Sequence, residues 1–209
     1  MSEKDCGHHG RKKHKLLRII LIVVLVLVIL VLLAVLITWA ILQPKKPQFT
    51  LQDATVFAFN LSAPNILSSV LQLTVITRNP NSHISIYYDD LDTYVVYRDQ
   101  QITYPTSVPS GYQTTHATFI WSPFVYGQYV PIAPVIGAML AGDEQLGRVP
   151  LEVKMDGSVR WKVGAFTSGE YRIHVSCPAL IRLGTPAAGV AVANNGIKYQ
   201  LGYACGVSV

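Results

Sequence analysis

The sequence lacks the motifs by which many enzymes are recognised. It has no Gly-x-Ser-x-Gly elbow around a nucleophilic serine, no phosphate-binding glycine-rich loop and no His-Glu-x-x-His zinc motif. The histidines of the C-terminal part, His83, His116 and His174, are isolated from one another along the chain. We therefore expect no enzymatic activity, no metal site and no cofactor. That expectation would change only if one of these histidines and a carboxylate converged in one cleft.

Charge is scarce in this chain, and it is absent altogether from residues 19–42, where nearly every residue is Leu, Val or Ile. As a helix this stretch would be about 36 Å long, against roughly 30 Å of hydrocarbon in a bilayer. A buried helix of a soluble protein is seldom so long or so apolar on all sides. A cleaved signal peptide has a shorter apolar core, about 7–15 residues. We therefore predict an uncleaved, single transmembrane helix over residues 19–42.

Positive charge is concentrated before this helix. Residues 1–18 carry six Lys or Arg against two Asp or Glu, whereas only Lys45 and Lys46 follow closely on the other side. The positive-inside rule then keeps the N-terminus in the cytosol and exports everything after Leu42. The predicted segments are a basic, disordered cytosolic tail (1–18), the transmembrane helix (19–42), a short, stiff Pro/Lys spacer (43–48) and one exported domain (49–209).

The exported part has no excess of positive charge. From Pro47 onward there are nine Lys or Arg and ten Asp or Glu, so the overall net charge of +5 belongs to the tail and the spacer. Nucleic-acid-binding domains present a basic face interleaved with aromatic residues, and none is visible here. We therefore exclude nucleic acid as a partner and expect the basic tail to lie against anionic cytoplasmic lipid.

Cysteine is rare, with three residues in the chain. Cys6 would be cytosolic, where it is compatible with either acylation or a free thiol. Cys177 and Cys205 would be exported to a compartment in which disulfides form, and we predict one bridge between them. The tripeptide Asn60-Leu61-Ser62 is an N-glycosylation sequon in the same part, and we expect Asn60 to carry a glycan at a turn-like site.

Long amphipathic helices are also missing after the spacer. Apolar residues instead alternate with polar ones, which is the period of a half-buried strand, and Pro, Gly and Asn punctuate about eight such runs. This pattern predicts an antiparallel β-sandwich. The strand candidates are residues 49–59, 71–75, 91–97, 112–121, 151–155, 159–163, 171–177 and 197–205.

Two features of these strands can be predicted from which side chains share a face. A three-residue loop at 156–158 would place Met155 opposite Val159 and would bury one apolar face of a hairpin. Cys177 is in phase with Ile173 and Val175, and Cys205 is in phase with alternate apolar residues of its own strand. Both thiols can therefore point towards the interior, which supports the predicted disulfide.

Three other segments are assigned to connections. Asn79-Pro80-Asn81 is typical of a turn between two strands. Asp89, Asp90 and Asp92 could serve acid–base chemistry or bind calcium, but we interpret them as a turn and an exposed strand edge. The Pro- and Gly-rich composition of segment 122–147 argues against a long strand and favours a short helix or turn around residues 136–140. A functional loop is the alternative interpretation of this segment.

The ordered motifs of the chain resemble those of the plant harpin-induced-like proteins, relatives of the non-race-specific disease resistance protein. After the basic tail, the anchor and the spacer come Asn79-Pro80-Asn81, Ile86-Tyr87-Tyr88-Asp89, Trp121-Ser122-Pro123-Phe124, Arg160-Trp161-Lys162-Val163-Gly164 and Cys177-Pro178. The resemblance covers nearly the whole chain. It implies a late embryogenesis abundant group 2 domain with an immunoglobulin/fibronectin-III-like sandwich, located outside the plasma membrane. It also implies a role in pathogen responses and supplies no catalytic residues.

Two functions are compatible with this resemblance. The first is a plasma-membrane-anchored, non-enzymatic interaction or signalling protein of plant defence, whose partners are other membrane or immune-signalling proteins or further copies of itself. The second is a membrane-tethered stress-protective or lipid-binding module, which would need a groove between the sheets wide enough for acyl chains. The chain ends LGYACGVSV, without a hydrophobic tail, so we expect no C-terminal lipid anchor.

Overall fold

The computed structural model describes residues 8–41, 44–62, 64–182, 189–192 and 195–209. The chain divides into two compact units, Met1–Gln43 and Pro44–Val209. Among the described residues, the first unit contains one helix, and the second contains the strands and a shorter helix. Cys6, for which the sequence left two states open, lies outside the described residues.

The elements follow one another in this order: helix α1 (His8–Ile41), strands β1 (Gln48–Ser62), β2 (Ile66–Arg78), β3 (Ser85–Tyr97), β4 (Gln100–Gln101), β5 (Thr106–Ser107), β6 (Gly111–Gln113), β7 (Thr118–Trp121) and β8 (Phe124–Pro131), helix α2 (Pro134–Gln145), and strands β9 (Val149–Val163), β10 (Phe166–Thr167), β11 (Tyr171–Ile181), β12 (Val190–Val192), β13 (Gly196–Ala204) and β14 (Gly206–Ser208).

Helix α1 contains a window, Leu17–Ile37, with a mean hydropathy of 4.0 and no side chain buried within the chain. At about 1.5 Å per residue this window is roughly 31 Å long, which matches the hydrocarbon thickness of a bilayer. By length and composition, α1 can therefore cross a membrane.

Helix α1 begins at His8, inside the segment that the sequence predicted to be disordered. Residues 11–18 are mostly Lys, Arg and Leu, which are strong helix formers. Adding such residues to an existing helix costs little, because the unfavourable nucleation step has already been made. The prediction of disorder is therefore wrong for residues 8–18.

The strands of the second unit form two antiparallel sheets. In the first sheet the order is β12-β13-β1-β2-β7, and β8 also pairs with β2. In the second sheet the order is β14-β11-β9-β3-β4, with β10 on β9 and with β5 and β6 on β3. The buried side chains of both sheets form one hydrophobic core. The predicted fold, an all-β antiparallel sandwich preceded by one apolar helix, is confirmed.

The core contains an aromatic cluster that joins the two sheets. Phe49 of β1 and Trp121 of β7 belong to the first sheet, and Tyr88 of β3 belongs to the second. The ring of Tyr88 meets Phe49 edge-on at 6.1 Å and Trp121 edge-on at 5.3 Å between centroids. Such edge-to-face pairs add roughly 0.5–1.5 kcal/mol each to the area that they bury. This cluster lies where the chain enters the domain.

The predicted hairpin at residues 156–158 is wrong, because β9 runs without interruption from Val149 to Val163. Met155, Gly157 and Val159 are all buried on one face, so the alternation continues through the Asp-Gly pair. A β-carbon on Gly157 would lie 2.7 Å from the carbonyl oxygen of Asp90 and 2.8 Å from the α-carbon of Leu91. Glycine is therefore required here for a close approach of β3 rather than for a turn.

Asp89, Asp90 and Asp92 do not form a turn at a strand edge, so that interpretation is also wrong. They lie within β3, which pairs with β9 on one side and with short strands on the other. The register between β3 and β9 shifts between Asp89 and Asp92, and Asp90 has a φ of 43°. The acidic run therefore forms a β-bulge in the interior of the second sheet.

Residues 112–121 were predicted as one strand, but the structure assigns them to two. Strand β6 pairs with β3 in the second sheet, whereas β7 pairs with β2 in the first. His116, with a φ of 57°, lies in the connection. Alternation of apolar residues does not reveal a change of sheet, because both strands keep the same period.

The segment 122–147 contains both a strand and a helix. Strand β8 extends over eight residues, which the sequence argued against, and it tolerates Gly127 because the backbone of Ile102 passes close by. Helix α2 includes the predicted residues 136–140, and its Leu140 is fully buried. The helix prediction is confirmed, and the strand was missed.

Candidate functional site

The predicted turn Asn79-Pro80-Asn81 lies between β2 and β3, and both asparagines are almost completely buried. The side-chain nitrogen of Asn79 donates to the carbonyl oxygens of Ile84 at 2.8 Å and Thr114 at 3.1 Å. Its side-chain oxygen accepts from the backbone and side-chain nitrogens of Asn81 at 3.0 and 2.9 Å. The amide group of Asn79 therefore uses its full hydrogen-bonding capacity.

Asn81 extends this network to the spacer. Its side-chain oxygen accepts from the backbone N–H of Lys45 at 2.8 Å, and its side-chain nitrogen donates to the carbonyl oxygen of Lys45 at 2.8 Å. The amide of Asn81 thus pairs with both backbone polar groups of one residue, as a neighbouring strand would. Pro47, two residues further on, is buried. We call this arrangement of Lys45, Asn79 and Asn81 the linker clamp.

A second layer of buried polar groups connects the linker clamp to the core. Gln113 donates to the carbonyl oxygens of Thr77 and Ala117, both at 3.0 Å, and accepts from the Tyr88 hydroxyl at 2.9 Å. The backbone N–H of Asn79 donates to Ala117 at 3.0 Å. Burial raises the pKa of Tyr88 well above its ordinary value, although a hydrogen bond with Thr77 opposes the shift. The hydroxyl of Tyr88 therefore stays protonated and holds Gln113 in place.

The disulfide links the two sheets close to the same point. Cys177 of β11 is fully buried, and its sulfur is bonded to that of Cys205 at 2.00 Å. The backbone N–H of Cys205 donates to the carbonyl oxygen of Phe49 at 2.9 Å. The predicted bridge is present, and it fastens the end of the chain beside the residue at which the spacer enters β1.

A shallow groove of about 560 Å³ crosses the solvent face of the second sheet, between β3 and β14. In it Asp156 accepts from the Tyr94 hydroxyl at 2.5 Å and contacts Nδ1 of His174 at 2.6 Å. Burial acts to raise the pKa of Asp156, but the hydrogen bonds from Tyr94 and His174 prevail and lower it. The bond to Asp156 and burial raise the pKa of Tyr94 to about 12.

This groove brings together a histidine and a carboxylate, which was the condition for reconsidering an enzyme. A serine nucleophile activated by histidine needs its hydroxyl on the imidazole ring. The hydroxyl of Ser208 instead donates to the backbone oxygen of His174 at 3.5 Å, and that of Ser176 donates to Glu152. The polar groups of the groove therefore satisfy one another and do not form a nucleophile–base pair.

Asp89 of the bulge forms a two-pronged ion pair with Arg160, at 2.7 Å to Nε and 3.0 Å to the terminal nitrogen. The guanidinium of Arg160 also lies 5.3 Å from the centre of the Tyr87 ring. The hydrogen bond from Arg160 lowers the pKa of Asp89 against the opposing effect of burial. Among the described residues, no group of three or more His, Cys, Asp or Glu is placed to hold a metal ion.

The space between the sheets is tightly filled at the end distant from the linker clamp. A small pocket there is lined by Val56, Phe59, Val149, Leu151 and Ile181. It has a volume of about 170 Å³ and no room for a water molecule. Ligand pockets are usually about 300–1,000 Å³. This pocket does not offer the acyl-chain groove that a lipid-binding module would need.

Asn60 lies near the end of β1, opposite Ser68 of β2, and its side chain is exposed. The sequon is therefore in a strand, a few residues before the hairpin connection, rather than in the turn itself. An exposed asparagine is accessible for modification, and its glycosylation stays a prediction.

His83 lies in an exposed connection, where Nδ1 of its ring is 2.8 Å from the hydroxyl of Ser82.

These features define a class of protein: a disulfide-bonded β-sandwich, preceded by an apolar helix, with a buried asparagine turn that grips the spacer. Residues 74–178 match the family described as late embryogenesis abundant protein. The chain is 52% identical to NDR1/HIN1-like protein 1 of Arabidopsis thaliana over 99% of this chain and 100% of that protein. It is 49% identical to NDR1/HIN1-like protein 12 over 100% of both chains, and 38% identical to NDR1/HIN1-like protein 26 over 72% and 71%.

The chain therefore belongs to the NDR1/HIN1-like family of late embryogenesis abundant proteins, as its motifs suggested. This membership makes it a protein related to plant defence and stress. Among solved structures, a protein from Archaeoglobus fulgidus aligns with 68% of this chain and 98% of its own at 3% identity. With a TM-score of 0.32, that similarity supports no argument.

Proposed function

We propose that this chain is a plasma-membrane-anchored, non-enzymatic interaction protein of plant defence and stress responses, with a cytosolic N-terminus and an external sandwich. The observation that carries the proposal is an apolar helix placed directly before a disulfide-bonded domain. Residues 17–37 of α1 leave every side chain exposed, and so large an apolar surface needs lipid around it. The bond between Cys177 and Cys205 is typical of an oxidising compartment, which supports export.

The arrangement of polar groups supports binding rather than catalysis. In the groove on the second sheet, Asp156 is hydrogen-bonded to both Tyr94 and His174. Outside the groove, Asp89 forms an ion pair with Arg160. Groups paired in this way can contribute specificity at an interface, where they exclude unsuitable partners. We propose that the sandwich binds other membrane or immune-signalling proteins, or further copies of itself. The small pocket between the sheets at Val56 and Phe59, with no room for a water molecule, does not favour the lipid-binding alternative.

The topology can be tested with the full-length chain in sealed microsomes, carrying one epitope tag at each terminus. We expect external protease to remove the N-terminal tag and to leave the sandwich and the C-terminal tag intact. Opening the vesicles with detergent should make the C-terminal tag accessible and serves as the control. A digested sandwich in sealed vesicles, or a mature membrane protein that has lost residues 1–40, would contradict the proposal.

The interaction role can be tested by cross-linking and affinity capture from intact plant membranes, with and without an elicitor. The control keeps residues 1–47 and replaces the sandwich with an unrelated fluorescent domain. We expect captured membrane proteins that depend on the sandwich and change with elicitor treatment. Identical sets from the two chains would show that the sandwich is not the interacting part.

A further inference from the structure

The solvent face of the first sheet carries a row of exposed aromatic rings. Phe57 of β1 lies beside Phe124 of β8, with 5.7 Å between ring centroids, and Phe124 stacks on Tyr126 at 6.2 Å. Phe124 is 39% exposed and Tyr126 is 44% exposed. Val70 of β2 lies between β1 and β8 on this face, because it pairs with Ala58 on one side and with Tyr126 on the other. We call Phe57, Val70, Phe124 and Tyr126 the aromatic row.

The aromatic row is flanked mainly by uncharged side chains. Its neighbours on this face include Thr55, Gln72 and Ser68, and Val192 of β12 lies with Phe57 around Gly196. Lys198 of β13 pairs with Thr55, and its charge is neutralised by Asp53 at 3.0 Å. A protein partner at such a face would ordinarily be positioned by charged groups around its rim. Uncharged hydroxyl and amide groups around exposed rings are instead well suited to a neutral carbohydrate, whose C–H groups pack on aromatic faces.

The sequon belongs to the same face. Side chains of one strand alternate, so Ala58 and Asn60 point to the same side, about 7 Å apart. Ala58 is in line with Val70 and Tyr126, and Asn60 occupies the next position along β1, opposite Ser68. Tyr126 is two strands away, roughly 10 Å across the sheet. A register shift between Val56 and Ala58 places Phe57 on this face as well.

We propose that the N-linked glycan of Asn60 lies across the aromatic row, so that this sheet face is a carbohydrate-binding surface occupied by the chain's own glycan. The first two N-acetylglucosamine residues span about the distance from Asn60 to Tyr126. Their apolar faces cover Val70 and Tyr126, and their hydroxyl and acetamido groups meet the polar neighbours. The inference rests on the proposed export of the domain, since glycans are added only there. According to this inference, the glycan packs on the sheet and stabilises the sandwich, instead of extending into solvent.

The test uses the full-length chain, purified from plant membranes in detergent. Asn60→Gln and Ser62→Ala each destroy the sequon by a different change. A third variant combines Asn60→Gln with Ala165→Asn, which moves the sequon to the exposed turn between β9 and β10. Thermal unfolding of the sandwich is measured for each. We expect the wild-type glycoform to melt about 2–4 °C above both variants without a sequon, as one aromatic contact of about 1 kcal/mol predicts, and the relocated glycan not to restore this shift.

A Tyr126→Ser variant tests whether the aromatic row mediates the stabilisation of the sandwich by the glycan. In that background, removing the glycan should no longer change the melting temperature. A glycan that is present on Asn60 but stabilises Tyr126→Ser equally, or stabilises equally from the relocated site, would overturn the inference and leave the topology intact. Absence of a glycan on Asn60 would overturn the inference too, and protease protection then decides about export separately. A dimer that forms without the glycan and is broken by Tyr126→Ser would assign the row to a second copy instead.

Discussion

Replacing Asn81 with alanine should release the spacer from the sandwich. Asn81 is 4% exposed, and the change removes two hydrogen bonds to Lys45 and one to the side chain of Asn79. Each such bond contributes about 0.5–1.5 kcal/mol net, so the three bonds together predict a loss of roughly 1.5–4.5 kcal/mol in the free energy of unfolding. At about 2–4 °C per kcal/mol for a chain of this size, the melting temperature should fall by about 3–18 °C.

The local consequence can be measured independently of global stability. Trypsin cleaves after Lys45 only when the spacer leaves the sandwich, and exchange of the Lys45 amide hydrogen reports the same opening. Because 1.4 kcal/mol corresponds to about tenfold in population, losing the two bonds to Lys45, about 1–3 kcal/mol together, should raise both rates about 5- to 150-fold under native conditions. Ser82→Ala is the matched control, since Ser82 is the next residue, is exposed and does not contact the spacer.

Two results would refute this reasoning. If Asn81→Ala unfolds and is cleaved as the wild type is, the side chain of Asn81 does not hold the spacer. If the melting temperature falls but cleavage after Lys45 keeps its wild-type rate, Asn81 stabilises the turn and not the linker.

Other predictions concern the second sheet, the disulfide and the effect of pH. Gly157→Ala should destabilise the domain by about 1–3 kcal/mol in chemical denaturation, because its β-carbon meets the backbone of β3, whereas Gly142→Ala, with open space around it, should be neutral or slightly stabilising. Replacing both disulfide cysteines with alanine should cost about 3.5 kcal/mol for a separation of 28 residues, measured in the same way. Since Arg160 lowers the pKa of Asp89, this ion pair stabilises the fold above pH of about 4 and its contribution is lost as the pH falls through the pKa of the folded state. Asp89→Asn should therefore flatten the acid side of a plot of melting temperature against pH.

The fold was predictable because its signals are local. Alternation in β2 and β11 identifies strands without any knowledge of their partners, and the absence of long amphipathic periodicity excludes helical layers. The disulfide followed from two further local facts, the phase of Cys177 and the rarity of cysteine. The Asn79 turn was predictable because its residues favour turns by their own chemistry.

The errors occurred where one strand determines the backbone of another. Asp156-Gly157 has the composition of a hairpin turn, but the glycine is needed because the bulge at Asp90 presses against it. The bulge is itself a consequence of pairing across the sheet. Likewise, nothing between Gln113 and Thr118 marks the change of sheet. At these positions the backbone conformation is determined by packing against other strands. The pattern of residues within one strand carries no information about that packing.

The candidate site was visible only in part for a related reason. The sequence indicated that Asn79 and Asn81 were special, but Lys45 lies 36 positions from Asn81 and looked like part of a plain spacer. In the groove, Tyr94 lies 62 positions from Asp156. The signal that could have identified the clamp is a pair of asparagines with more hydrogen-bonding groups than a turn requires. Such a surplus indicates a distant backbone partner without naming it.

The linker clamp, the disulfide and the aromatic cluster act on one short stretch of chain. Lys45 is held by Asn81, the carbonyl oxygen of Phe49 accepts from Cys205, and the ring of Phe49 packs on Tyr88. Residues 45–49 are therefore fixed to both sheets at the point of entry, by polar contacts first and by the core immediately afterwards. A flexible tether would absorb any pull or rotation applied to the spacer, because it can change its end-to-end distance at little cost. A tether bound in this way passes the same load to the folded domain, and breaking the contacts of Asn81 is the change that would separate the two.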